Sequence, residues 1–420
     1  MTGSPFETES RRIIMMTNQT SKIAIIGGGP AGLVSAIASA RRGIHTTVLE
    51  RDPHPADTSQ FNPDRSYPID ITGHGLKALR YIEATDVFDE YMLPFRGIKV
   101  FNGLVTEEWK EQGWTGSRGD ILRSLMTVVE RDYGDCIDCR FNTQVEEVNV
   151  ETGEVSIKQD GQSDTLQFDF LIGADGGGSL VRRKMEQQLP CIITEYGEIP
   201  NYSTMLELDQ NTGHLDPHYL HVFGGLPIVL VVGAISGRKA DSLRWFCSVG
   251  SDHELSLNGV EDARALLKQH APDVLKMVSD DSLASFVTRK TYHIGRMVSC
   301  SQLHGGRAVL LGDAGAPFPP IGQGINAAME SAIVLDQCIE RFEIEHLQEA
   351  AAQYNKHWKP EADAVTWITR KVTYGKRNHM FRLLLTVPFG INLLSNAKKA
   401  EMSYSDVQKQ GQNWGFVWNW

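Results

Sequence analysis

Ile25-Ile26-Gly27-Gly28-Gly29-Pro30-Ala31-Gly32-Leu33 is the stretch that decides the fold of this chain. Gly27, Gly29 and Gly32 fit a G-x-G-x-x-G pattern. The run Lys22-Ile23-Ala24-Ile25-Ile26 before it reads as a buried parallel strand. The run from Leu33 to Ala40 after it reads as a helix. Gly27 then makes the tight turn, Gly29 lets a pyrophosphate approach the backbone, and Gly32 lets the helix pack on the strand. The free N–H groups of the helix N-terminus face the phosphates. A second strand, His45-Thr46-Thr47-Val48-Leu49, delivers Glu50 to a position suited to a pair of ribose hydroxyls. The glycine pattern alone is weak evidence. With a strand before it, a helix after it and an acid about 20 residues on, it specifies a dinucleotide site.

The chain has 420 residues, enough for two or three domains. Its net charge of -11 argues against a nucleic-acid partner or an anionic membrane surface. The six cysteines form no disulfide framework, which suits a reducing, cytoplasmic setting. Cys136 and Cys139 make a C-x-x-C, but no second pair follows, so buried or incidental thiols are favoured over zinc or redox chemistry. Residues 1–21 read as a disordered extension; the apolar run Ile13 to Met16 is too short for a signal peptide, and Met15-Met16 suits an alternative start. No segment reaches spanning length. The nearest, Phe381 to Leu394, is interrupted by Pro388 and Gly390 and reads as a helical core piece or a shallow membrane contact. The aromatic tail Trp414 to Trp420 reads as folding back onto an apolar groove, or as an oligomer or membrane contact.

Along the chain, residues 53–68 read as a loop. Leu76 to Ile82 and Asp120 to Arg131 have helical apolar spacing. Gly97 to Phe101 and Leu104 to Trp109 read as short strands, and Thr143 to Val150 with Gly153 to Gln159 as a hairpin. Between 191 and 300 the sequence becomes rich in strands: Tyr202 to Leu208, Tyr219 to Phe223, Ile228 to Ala234 and Leu243 to Val249. The expected division is a nucleotide-binding part over 22–190 and 301–340, an inserted β-sheet substrate domain over 191–300, and helices over 341–420. This is an α/β chain with a Rossmann-like dinucleotide-binding domain.

Two further motifs begin at the ends of apolar strands. One is Gly173-Ala174-Asp175-Gly176-Gly177-Gly178-Ser179-Leu180-Val181-Arg182. The other is Gly312-Asp313-Ala314-Gly315-Ala316-Pro317-Phe318-Pro319-Pro320-Ile321-Gly322-Gln323-Gly324-Ile325-Asn326. With these three motifs in this order, the chain resembles the class A flavoprotein monooxygenases of the aromatic-hydroxylase type, over about residues 22–340. Within that family it looks most like the kynurenine 3-monooxygenase branch. The supporting runs are Asp64-Arg65-Ser66, Gly75 to Leu79, Pro94-Phe95-Arg96, Ser117-Arg118, Tyr219 to Phe223 and Gly322 to Asn326.

The resemblance implies FAD as cofactor, NADPH or NADH as reductant and O₂ as co-substrate. It implies oxygen transfer from a C4a-hydroperoxyflavin to an electron-rich carbon, hydroxylating or epoxidising an aromatic or other small molecule. Asp313 would bond the ribityl chain, Arg118 would approach the FAD phosphates, and Asp175 would serve FAD and NADPH. Gly27, Gly29, Ala31, Gly32, Glu50, Arg51, Val145, Gly324, Ile325 and Asn326 complete the expected cofactor contacts. The helix opened by Gly322 to Asn326 can stabilise negative charge on a reduced flavin. A proline-rich loop precedes it, so its glycine spacing is not a second dinucleotide site. Since the flavin carries the chemistry, the protein's residues act in the pocket; Pro320, Gln323, His221 and Arg96 are the candidates. His218 and His221 have no third ligand at metal spacing, so no metal is expected.

Two departures matter. The family's GD motif continues to a histidine, whereas here Gly315 and Ala316 follow. The branch's carboxylate-binding arginine falls at Ile98, two residues after Arg96. An arginine–carboxylate clamp orients strongly, so its absence points to a more apolar aromatic or a polyketide- or terpenoid-derived substrate. The expected form is a monomer or homodimer with no spanning segment. Alternatives that share the fold are a reductase of the geranylgeranyl-reductase type, a flavin-dependent halogenase, and a flavin-binding regulator without turnover.

Overall fold

A computed structural model describes residues 22–57, 67–100, 103–225, 227–236, 243–372, 389 and 392–415. The readings made for residues 1–21, Asp64-Arg65-Ser66, most of Phe381 to Leu394 and the last five residues of the aromatic tail lie outside these.

The glycine stretch sits in the middle of a six-stranded sheet. Its strands run in the order His304–Gly305, Ala308–Leu310, Phe170–Gly173, Ile23–Ile26, Thr46–Leu49 and Ile137–Arg140. The five after the first are parallel to their neighbours. The central strands are buried along their length, which explains their unbroken apolar runs. Helix Pro30–Arg41 follows Ile23–Ile26 directly. Pro30 opens it, where a missing N–H costs nothing and the ring presets φ. The three motifs leave adjacent parallel strands at the same end, with Glu50 leaving the next strand over. Sequence segments almost 300 residues apart thus meet at one sheet edge, where open α/β sheets bind ligands.

The second sheet has eight strands. Their order is Tyr292–His293, Tyr202–Leu208, Leu243–Ser251, Ile228–Ser236, Tyr219–Gly225, Leu93–Val100, Val105–Gly116 and Ile69–Ile71. Helices Val260–His270 and Asp280–Thr288 cover one face of it through Leu206, Leu230, Val232, Cys247, Leu267 and Phe286. The strands expected over 191–300 share this sheet with strands from earlier in the chain. Three of its strands come from 69–116, because Tyr219–Gly225 pairs in parallel with Leu93–Val100. The two strands near 100 are also longer than their local pattern suggests.

A small sheet joins Thr143–Asn149, Glu154–Gln159 and Gln162–Gln167. The third strand escapes a hydrophobicity reading because its residues are largely exposed and polar. Helices Gly324–Phe342 and Leu347–Val372 pack on each other and on the nucleotide sheet, and the segment Leu393 to Trp414 returns across them. Trp414 packs against the main core. No helix among the described residues is long and apolar enough to cross a membrane.

Candidate cofactor and substrate site

Each motif glycine has a spatial reason. Gly27 adopts φ +104°, and a Cβ there would lie 2.5 Å from the Ala174 carbonyl oxygen. A Cβ on Gly32 would lie 2.0 Å from the Gly27 oxygen, so helix and turn could not close. Gly29 differs. Among the described residues, a Cβ there would meet the Arg118 guanidinium alone, at 3.6 Å. Open backbone beneath an arginine at a helix N-terminus is a cradle for phosphate. Arg118 itself opens helix Arg118–Asp132, which is fixed by a capping box between Ser117 and Asp120.

The Glu50 carboxylate accepts from the Gly28 N–H at 2.6 Å and from the Asp52 N–H at 2.8 Å. These bonds hold it beside the loop. Ala31 and Val145 are buried next to this region, and Arg51 is exposed. On the opposite side, Asp313 lies open to water through the cleft yet walled by protein. That crowding raises its carboxyl to about 6, although Arg118 and Arg182 pull the other way.

Asp175 has a different setting from the one expected. It accepts from the Ser179 hydroxyl at 2.5 Å and from the N–H groups of Leu180 and Val181 at 2.6 and 3.3 Å. Both of its oxygens therefore cap helix Leu180–Gln188. Arg182, which sequence reasoning gave no role, is buried and ties two motifs together. Its guanidinium donates to the Gly177 and Ala314 carbonyls, each at 2.6 Å. Its place in the motif was visible; its reach across 132 residues was not.

Beyond Asp313, the loop runs exposed through Pro320 and Gly322 before helix Gly324–Phe342 begins. Gly324 and Ile325 are half-buried at its first turn. Gln323 and Asn326 are buried anchors rather than pocket-lining groups. Gln323 accepts from the Tyr404 hydroxyl at 3.0 Å. Asn326 accepts from the Thr72 N–H at 3.0 Å and donates to the Asp70 carbonyl at 2.9 Å.

The large sheet sorts the remaining candidates. Strand register puts His221 opposite Val232, on the helix-covered face, where its Nε2 lies 2.9 Å from the Asp216 carbonyl. Burial lowers its pKa. Tyr219 lies on the same face and donates to Glu108 at 2.5 Å; Glu108 and burial raise its pKa, while nearby Arg96 opposes the rise. His221 and Arg96 therefore belong to a polar cluster on the outer side. His218 contacts the Pro94 carbonyl at 2.9 Å. Among the described residues no three His, Cys, Asp or Glu are grouped to hold a metal. Burial pushes the Cys139 thiol up to about 12, a setting unlike that of a reactive thiolate.

Ile98 pairs with Leu220 and so faces the other way. Leu220 packs against Gly233, beside Pro68, and Glu107 stands opposite Ile98 on the neighbouring strand. Trp109, next to Glu108, turns inward toward Phe95 and Lys398.

These residues fit a dinucleotide with an attached ring system. The loop at Gly29 is open under Arg118, nothing would crowd a Cβ at Gly176, Gly178 or Gly324, and an acid stands in the cleft. A family model described as an FAD binding domain matches residues 20–367. The chain belongs to this FAD-binding monooxygenase family. It is 26% identical over 360 residues to the kynurenine 3-monooxygenase of Candida albicans, covering 82% of this chain and 77% of that protein. With the kynurenine 3-monooxygenase of Salinispora tropica it shares 24% over 384 residues, 88% and 83% of the two chains. Among solved structures, 2-methyl-3-hydroxypyridine-5-carboxylic acid oxygenase superposes with TM-score 0.66 at 17% identity, covering 86% and 94%. PqsL of Pseudomonas aeruginosa, a probable FAD-dependent monooxygenase, gives 0.67 at 18%, covering 87% and 100%.

Proposed function

We propose that this FAD-dependent, NAD(P)H-using monooxygenase hydroxylates an apolar aromatic molecule rather than an amino acid. One observation carries the choice of substrate: Ile98 shares the inner face of the large sheet with Leu220, where the related branch carries its carboxylate-binding arginine. A carboxylate on that face would lose its hydration without gaining a guanidinium partner.

Bound FAD, reduced by NAD(P)H, supplies the activated oxygen. The protein's own groups bind, orient and exclude water. Gly27, Gly29, Ala31 and Gly32 form the pyrophosphate loop, with Arg118 neutralising charge above Gly29. Glu50 holds the adenosine ribose, with Arg51 and Val145 beside it. Asp313 accepts from the ribityl hydroxyls. The first N–H groups of Gly324, Ile325 and Asn326 would favour negative charge on a flavin ring held at this helix N-terminus. Asp175 acts indirectly, by fixing the turn that Arg182 locks to Asp313's loop. We read the enzyme as cytoplasmic and as a monomer or homodimer.

The test is NADPH oxidation by the purified yellow protein against a panel of apolar phenols, benzoates and kynurenine. Acceleration by the apolar phenols, with little by kynurenine, supports this reading. Acceleration confined to kynurenine would overturn the substrate class.

A further inference from the structure

The C-terminal segment carries Lys398 to the inner face of the large sheet. Its ammonium lies 2.9 Å from the Asp70 carboxylate, and both side chains are 5% exposed. The same ammonium stands 5.2 Å above the Trp109 ring. Two glycines make room for it. A Cβ on Gly73 would lie 2.0 Å from the Lys398 carbonyl oxygen. One on Gly322 would lie 3.0 Å from the ammonium and 3.1 Å from Asp70 Oδ1. Gly322, exposed on the loop after Asp313, itself puts no side chain over this pair.

The pair has unused capacity. The Asp70 carboxylate is hydrogen-bonded through Oδ2, and Oδ1 receives no hydrogen bond among the described residues. An ammonium has three donors. The indole N–H of Trp109 is buried without a partner. A buried ion pair also carries a desolvation cost that apolar packing would avoid.

We propose that Asp70 and Lys398 activate a substrate bearing an ionisable ring hydroxyl, an inference that rests on the monooxygenase reading. The substrate's apolar body packs on Ile98 and Leu220, and its hydroxyl reaches Asp70 past Gly322. The substrate O–H bond breaks and a new O–H bond forms at Asp70 Oδ1. The electron pair stays on the ring oxygen, where Lys398, still an ammonium, holds the oxyanion. Deprotonation enriches the ring carbons that an electrophilic oxygen attacks. The Trp109 N–H serves an acceptor beside that oxygen.

The experiment uses flavin-loaded enzyme with 4-nitrophenol, whose neutral and ionised forms absorb differently. It needs neither NADPH nor O₂, so loss of turnover and loss of this site are read separately. The bound probe should ionise at least about tenfold more readily than the free one, a shift of about one pKa unit. Lys398→Met should abolish the shift and Lys398→Arg should keep most of it. Asp70→Asn should reduce it, because the proton then has no carboxylate to receive it. A merely structural pair would move none of these. Should Lys398→Met fail to retain FAD, the direction of the Asp70→Asn change decides. The proposal is overturned if millimolar probe does not bind, if the bound probe keeps its solution ionisation, or if Asp70→Asn leaves the shift unchanged or enlarges it.

Discussion

We propose that Asp313 sets the pH behaviour of cofactor capture. Its carboxyl is raised from 3.8 to about 6, chiefly by burial. The folded, cofactor-free protein therefore binds more protons than the unfolded chain between those values, and this group's contribution to stability falls as pH rises through that window. A hydroxyl donor needs the carboxylate. FAD affinity should consequently weaken by about tenfold for each pH unit below 6, and Asp313→Asn should bind FAD weakly with no such slope. Fluorescence titration of the apoprotein with FAD between pH 5 and 8 checks both; a flat wild-type profile would remove Asp313 from the cofactor site. At Gly32 the constraint is steric. Gly32→Ala forces a contact 2.0 Å from the Gly27 oxygen. It should cost on the order of 1–3 kcal/mol and release flavin, seen as lower melting temperature and colourless protein.

At the scale of elements, distant segments are joined by single polar side chains. Arg182 links the second motif to the third through two carbonyls. Arg182→Met should cost about 1.5–3 kcal/mol in denaturant unfolding, the usual worth of charged hydrogen bonds. The C-terminal helix Tyr404–Asn413 is held by a similar contact. Tyr404 stacks on His74 at 4.2 Å and donates to Gln323, which opens the helix facing the cleft. Tyr404→Phe keeps the stack and leaves the Gln323 oxygen unpaired, costing about 1–3 kcal/mol; limited proteolysis should then release the C-terminal segment sooner. The strands around Gly27, Gly173 and Gly312 were legible because burial on both faces leaves an unbroken apolar run. His221 and Arg96 were not assignable to a face, because strand register is a tertiary property that one sequence does not display. Gln323 and Asn326 occupy the expected place, but their partners lie 81 and about 250 residues away.

Over the whole molecule, two sheets meet along the third motif. One ends its parallel strands at the three motifs; the other has an inner face closed by the C-terminal segment. The order of the three motifs was enough to specify the nucleotide sheet. The sequence could not show that residues 69–116 belong to the large sheet, since their pairing with Tyr219–Gly225 joins strands more than a hundred residues apart. That pairing places Ile98 beside Leu220, the observation on which our proposed substrate class rests. The central claim is that oxygen from O₂ enters an aromatic molecule at the expense of NAD(P)H. The direct measurement is turnover under ¹⁸O₂ with a phenol that accelerates NADPH oxidation, followed by mass spectrometry of the product. The account predicts a product carrying one ¹⁸O atom and no turnover without O₂. Product formed equally well without O₂, with a double bond reduced and no label gained, would contradict it and identify a flavin-dependent reductase instead.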